Sequence, residues 1–191
     1  MKPQRMLLGF VCLACLVVAA SCGTKVQYGD ATAVETMTVD FGSTDLQMIA
    51  EKMVQSMLSS PVLQEQNRPV LQVSTVLNKT NEHIDTKAVT DKIRTTLIQS
   101  NKVRFSAAEV RDEVIQELEY QRGSGYVNPS TGKKVGRQVG ADYLLAGEVT
   151  EIRKQRDKEK DVYLKMTLNL VNLETGLIEW ADEKEIRKRE N

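Results

Sequence analysis

Apolar and polar residues follow each other with different periods along this chain, and each period predicts a different element. Leu46, Ile49, Ala50, Met53, Val54, Met57 and Leu58 return every three or four residues. That spacing gathers them on one face of a helix. Ser43 or Thr44 stands where an N-terminal cap is needed, and Pro61 stops the run. The methionines on that face suit either an adaptable groove or plain core packing, and core packing is the simpler use. The same period recurs in Val89, Ile93 and Leu97, with Asp85 or Thr86 as cap. It recurs again in Val110, Val114, Ile115 and Leu118, where Ser106 and Glu109 have the spacing of a capping box.

Between and after these helices the period falls to two. Met37–Phe41 alternates and predicts a short first strand. Val70–Leu77 is rich in β-branched and aliphatic residues, as in a strand buried in a sheet, and Asn78-Lys79-Thr80 ends it. Lys102–Ser106 predicts another short strand. From Tyr143 the alternation becomes regular. Val162, Leu164, Met166, Leu168 and Leu170 fall on one face, and Tyr163, Lys165, Thr167 and Asn169 on the other. Residues 153–161 read as a charged hairpin tip, residues 173–176 as a glycine turn, and the chain from Leu177 pairs back. The predicted fold class is α/β, of the α+β kind: a mixed sheet with helices packed against it and a C-terminal antiparallel three-stranded meander. Residues 38–191 form one globular domain. Two segments stand apart from these periods. Residues 122–136 are a Gly- and Pro-containing loop, long enough to suggest a purpose. Residues 133–142 predict a short helix ending at Gly140.

The amino terminus has a third pattern. Met6–Ala20 is an uncharged, largely apolar run preceded by Lys2 and Arg5. This is the order of a secretory signal, and it is shorter than the ~20 apolar residues of a membrane-spanning helix. Ala20, Ser21 and Cys22 then resemble the bacterial lipobox, whose cysteine accepts a diacylglyceryl group. Ala19 stands where leucine is usual, and Cys15 is a rival acceptor with a short run before it. The expectation is a signal peptide over 1–21 and a lipidated Cys22 carrying fatty-acyl chains such as palmitate. A short tether over 22–37 follows. Gly23, rather than aspartate, follows the cysteine, which by that resemblance directs the lipoprotein to the periplasmic face of the outer membrane. Cys12 and Cys15 lie within the signal, so no internal disulfide is expected.

Composition removes several functions. Basic and acidic residues balance at 26 each, which leaves no overall field for nucleic acid. Aromatic residues are 5%, too few for a sugar cleft or a base-stacking platform. His83 is the only histidine, so a metal site is not expected. No phosphate loop, dinucleotide fingerprint or nucleophile elbow is present. The chain therefore reads as a non-enzyme without cofactor or small-molecule substrate. The residues best placed for protein contact are Tyr126, Lys133 and Lys134 in the long loop and Arg153, Lys154 and Arg156 at the hairpin tip. The alternating signs around the tip favour a solvated hairpin over a binding patch.

Several segments taken together carry a resemblance: "VDF" before an amphipathic helix, "VLQVSTVLNKT", "VGADYLLAGEVTEI" and "LNLVNLETGLIEW". Over roughly residues 36–190 the chain resembles the LpoB family of outer-membrane lipoproteins that activate penicillin-binding proteins. The resemblance implies a fold like the amino-terminal domain of TolB. It also implies docking on a small accessory domain of a bifunctional penicillin-binding protein, the peptidoglycan synthase that helps set cell shape. Docking would stimulate glycan polymerisation and peptide cross-linking, with no catalytic residue in the activator. Well-known members have a long proline-rich tether, whereas residues 23–37 here reach about 50 Å at ~3.3–3.6 Å per residue. The alternative is a structural subunit of an envelope secretion or flagellar assembly, for which related domains are used. A third class, a peptidoglycan-cleaving enzyme, would turn over glycan unaided.

Overall fold

The computed structural model describes residues 27–35 and 37–190. Cys22 and the expected signal lie outside the described residues. The chain divides into two units, residues 1–33 and residues 34–191. In the first, the described residues 27–33 are exposed, with a turn in which the Asp30 carboxylate accepts from Thr32.

The second unit is built on a six-stranded mixed sheet. Its helices are α1 (Ser43–Leu58), α2 (Pro61–Glu65), α3 (Thr86–Gln99) and α4 (Arg111–Gly123), with one 3-10 turn at Ala108–Val110. Its strands are β1 (Val70–Val73), β2 (Leu77–Lys79), β3 (Arg104–Phe105), β4 (Tyr143–Arg156), β5 (Glu159–Asn172) and β6 (Ile178–Glu190). They lie in the order β3-β1-β4-β5-β6, with β2 also paired to β4. The pairs β1–β3, β1–β4 and β2–β4 are parallel, while β4–β5 and β5–β6 are antiparallel. The meander and the mixed sheet are those read from the sequence.

One face of this sheet holds the core. Leu145, Val149, Val162, Leu164, Met166, Leu168, Leu170, Trp180 and Ile186 are buried there against Ile49, Met53 and Met57 of α1 and Val89, Ile93 and Leu97 of α3. Each side chain of this size fully withdrawn from water contributes about 1.5–3 kcal/mol. The strand period of two and the helix period near 3.6 meet at this one surface, so both patterns have the same cause. Three contacts fix the direction of α1 along β6. Lys188 binds the Asp45 carboxylate at one end, Lys52 pairs with Asp182 at 3.0 Å, and the Trp180 indole donates to Ser56 Oγ at 3.2 Å at the other.

The structure revises several local expectations. Met37–Phe41 forms no strand. The Phe41 N–H donates to the Glu82 carboxylate and the Asp40 carbonyl accepts from Lys188, so side chains take the place of a ladder. The cap of α1 is Gly42, whose N–H donates to Asp45 at 2.9 Å. Pro61 opens α2, where its missing N–H costs nothing. The run expected as one strand over Val70–Leu77 is two, β1 and β2, with Asn78 and Lys79 inside the second. Leu71 faces Tyr143 but Leu77 faces Glu148, a one-residue slip along β4 that marks a bulge between the halves. No helix forms over 133–142, where Gly136 takes a φ of +78°. The capping box expected at Ser106 is replaced. Ser106 donates to Gln72 and Glu109 pairs with Arg94.

Candidate functional site

The antiparallel hairpin β4–β5 stays paired out to Arg156 opposite Glu159, so its turn is Asp157-Lys158 alone, with Asp157 at φ +53°. Aspartate tolerates that left-handed conformation better than most residues. The charged tip of the sequence reading is therefore a strand-paired ladder. Arg153 is spent inside the domain: its guanidinium meets Glu82, Glu151 at 3.3 Å and Asp40 at 3.5 Å. The hydrogen bond to Glu151, then that to Glu82, raise the Arg153 pKa above its ordinary value against the opposing effect of burial. Burial of Glu151 favours its neutral form, but bonds from Arg153 and Asn81 outweigh this and hold the carboxyl below its ordinary value. Arg153 thus ties β4 to the loop at Glu82 and to the strand-less segment at Asp40.

Lys154 and Arg156 are different. Neither forms an ion pair among the described residues, although Asp161 lies opposite Lys154 in the ladder. They line a shallow groove of about 600 Å³ with Lys160, Asp161, Arg189 and Glu190. Across it, Arg187 and Arg189 both reach Asp161, and Lys160 pairs with Glu190 at 2.8 Å. The hydrogen bond from Arg187 keeps the Asp161 carboxyl below its ordinary value.

The loop after α4 folds back on that helix. The Lys133 N–H donates to Gln121 Oε1 at 2.9 Å, and the Asn128 carboxylamide accepts from Ser130. Tyr126 is 86% exposed, and Lys133 and Lys134 line a groove with Val127 and Val135. The two sequence-predicted sets, Tyr126/Lys133/Lys134 and Arg153/Lys154/Arg156, share no hydrogen bond, ion pair or groove among the described residues. The structure does not bring them into one site.

The sequence puts Val110, Val114, Ile115 and Leu118 on one helical face, and Val110 lies in the 3-10 turn just before α4. No residue of α4 is buried, and Val110, Val114 and Ile115 are all exposed. An apolar helical face without a cover is the surface that sequence reasoning missed. Its period was visible; its lack of a partner was not.

The domain is polar in layout. At the end holding Arg156, Glu159 and Glu190 the side chains are charged. At the other, Leu173, Leu177 and Ile178 are exposed aliphatic residues. The chain enters the domain at the charged end. Glu35 accepts from Ser43 and Thr44 at the start of α1, and Glu35, Met37, Thr38 and Val39 line a groove with residues 186–190. β4 separates the two ends by roughly 43 Å at ~3.3 Å per residue.

Among the described residues, no group of three or more His, Cys, Asp or Glu side chains is placed to hold a metal ion. No helix among them is long and apolar enough to cross a membrane.

A family model described as the peptidoglycan-synthase activator LpoB matches residues 45–186. Among solved structures the chain is similar to the C-terminal domain of LpoB from Salmonella enterica, at 19% identity and a TM-score of 0.44, covering 75% of this chain and 99% of that one. It is also similar to the C-terminal domain of LpoB from Escherichia coli, at 21% identity and a TM-score of 0.43, covering 74% of this chain and 98% of that one. No curated protein matches the chain.

Proposed function

The chain belongs to the LpoB family of peptidoglycan-synthase activators, and on that premise we propose that it is a lipid-anchored protein of the outer membrane that binds a bifunctional penicillin-binding protein and stimulates it. The observation that carries this reading is the extent of the match. It runs from α1 to β6, across the whole folded core rather than one motif.

Activation by binding needs no chemistry from the activator. A surface that binds one state of the enzyme better than another shifts the enzyme's population by that difference in affinity. Cys22 supplies the anchor: burial of acyl CH₂ groups at ~0.8 kcal/mol each holds the chain to the membrane. Residues 23–33 lead from the anchor to the domain, which begins at Val34.

The test uses the lipid-free chain from residue 23 onward, which contains the whole folded unit. It is added to each bifunctional penicillin-binding protein of the same cell, and glycan polymerisation and peptide cross-linking are followed. Stimulation of one enzyme is the expected result. Neither binding nor stimulation of any of them would refute the proposal.

A further inference from the structure

The sheet face turned away from α1 and α3 bears a groove of its own. In β1, Leu71 points into the core, so Val70 and Gln72 point to the opposite face. Val70 is nevertheless buried, in a groove of about 540 Å³ whose lining includes Val114 of α4 and Val139 and Ala141 of the loop, with Arg104 and Arg111 beside them. No acidic residue lines it. The Arg104 Nε donates to the Arg68 carbonyl and an Arg111 Nη to Gln72 Oε1, and neither guanidinium has a carboxylate partner among the described residues.

The groove does not stop at β1. Gln72 lies opposite Leu144 and Leu144 opposite Val171, so these side chains form one row across the open face, and beyond a bulge between Leu170 and Val171 the exposed Ile178 is paired with Val171. Ile178 is 59% exposed and Val139 63%. The Asp142 carbonyl accepts from the Leu173 N–H at 3.0 Å, which brings the exposed β5–β6 turn beside the loop. The result is an apolar strip with two uncompensated arginines at one end, on the end of the domain opposite the chain's entry.

We propose that this strip is the surface that docks the synthase, and that its occupant is a protein segment presenting carboxylates beside aliphatic side chains. The proposal rests on the activator reading above. Charge complementarity argues for that occupant: carboxylates would give Arg104 and Arg111 the charge-assisted bonds they lack and set the orientation, while burial of the row supplies affinity. Of the sequence-expected residues, Tyr126, Lys133 and Lys134 belong to the loop that continues into this groove, and Lys154 and Arg156 lie at the other end.

The experiment measures affinity for the stimulated synthase and its activity with three variants of the lipid-free chain: Arg104→Glu with Arg111→Glu, Val139→Asp, and Lys154→Glu with Arg156→Glu. All five positions are exposed, and unchanged thermal melting confirms that each variant is folded. The first two are expected to weaken binding at least ~10-fold, the arginine pair less so at high salt, and the third to stay within about 3-fold. Hydrogen exchange on the wild-type complex is expected to slow over residues 110–115 and 138–144. Wild-type stimulation by the first two variants, or protection confined to residues 153–161, would overturn the docking surface and leave the activator reading intact. A wild-type chain that neither binds nor stimulates any synthase would remove both.

Discussion

Replacing Lys188 by methionine keeps the aliphatic stem and removes the charge. In the folded domain the Asp45 side chain is 3% exposed and that of Lys188 20%. The carboxylate accepts from Lys188 and from the Gly42 N–H, and Lys188 also donates to the Asp40 carbonyl at 2.6 Å. Breaking a fully buried pair from one side costs roughly 3–5 kcal/mol, because the remaining charge is stranded. Lys188 keeps some contact with water, so a loss of about 2–3 kcal/mol is expected. At ~2–4 °C per kcal/mol for a domain of this size, Tm falls by about 4–12 °C. Circular dichroism melts of the chain from residue 23 onward measure it. Asp45→Asn in the same chain removes the stranded charge while keeping an acceptor for Gly42, so the double variant recovers most of the loss. That recovery is a coupling energy read from the four-member cycle. A Lys188→Met melt within about 1 °C of wild type, or a double variant whose losses simply add, would refute the view that this pair clamps α1 to β6.

Gly147 faces Leu168 in the ladder, and a Cβ there would collide with the Thr167 carbonyl oxygen; Gly147→Ala is expected to cost about 1–3 kcal/mol in urea denaturation through forced displacement of β5. The Glu151 carboxyl is held below its ordinary value of 4.5, so its contribution is complete above that pH and is lost as pH falls through the lower folded value. Melting is therefore expected to be flat from neutral pH to about 5 on this account, and the acid loss below pH 4.5 is expected to shrink in Glu151→Gln. β6 is an edge strand rich in Lys, Arg and Glu, a composition that discourages strand-to-strand pairing; sedimentation is expected to give a monomer, whereas a stable ring would favour an envelope-assembly subunit. Cys22→Ser is expected to move the protein from the membrane fraction to the soluble periplasmic fraction.

The meander was legible because Val162 to Leu170 alternates without a fault, and a period of two admits one assignment. The faces of α1 and α3 were legible for the corresponding reason. The failures share a cause: local period reports a face, not what lies against it. α4 has the spacing of a core helix, yet nothing in residues 106–121 says whether another element will cover Val110 and Val114. Val70–Leu77 reads as one apolar strand, and the bulge that divides it is set by register with β4, about 70 residues away. The hairpin tip looked like a loop because it is charged, but ladder bonds are made by the backbone and continue to Arg156 and Glu159. Arg153 looked free because its partners Asp40 and Glu82 come from distant segments. The groove at Arg104 and Arg111 had no sequence signal at all. It is assembled from β1, β3, α4 and the loop before β4.

The most direct test of the central claim is synthase activity with and without the lipid-free chain, measured on each bifunctional penicillin-binding protein of the cell. The account predicts that one of these enzymes polymerises and cross-links glycan faster when the chain is present, and that the chain alone turns over no glycan. Unchanged activity of every enzyme, with no complex detected, would contradict it.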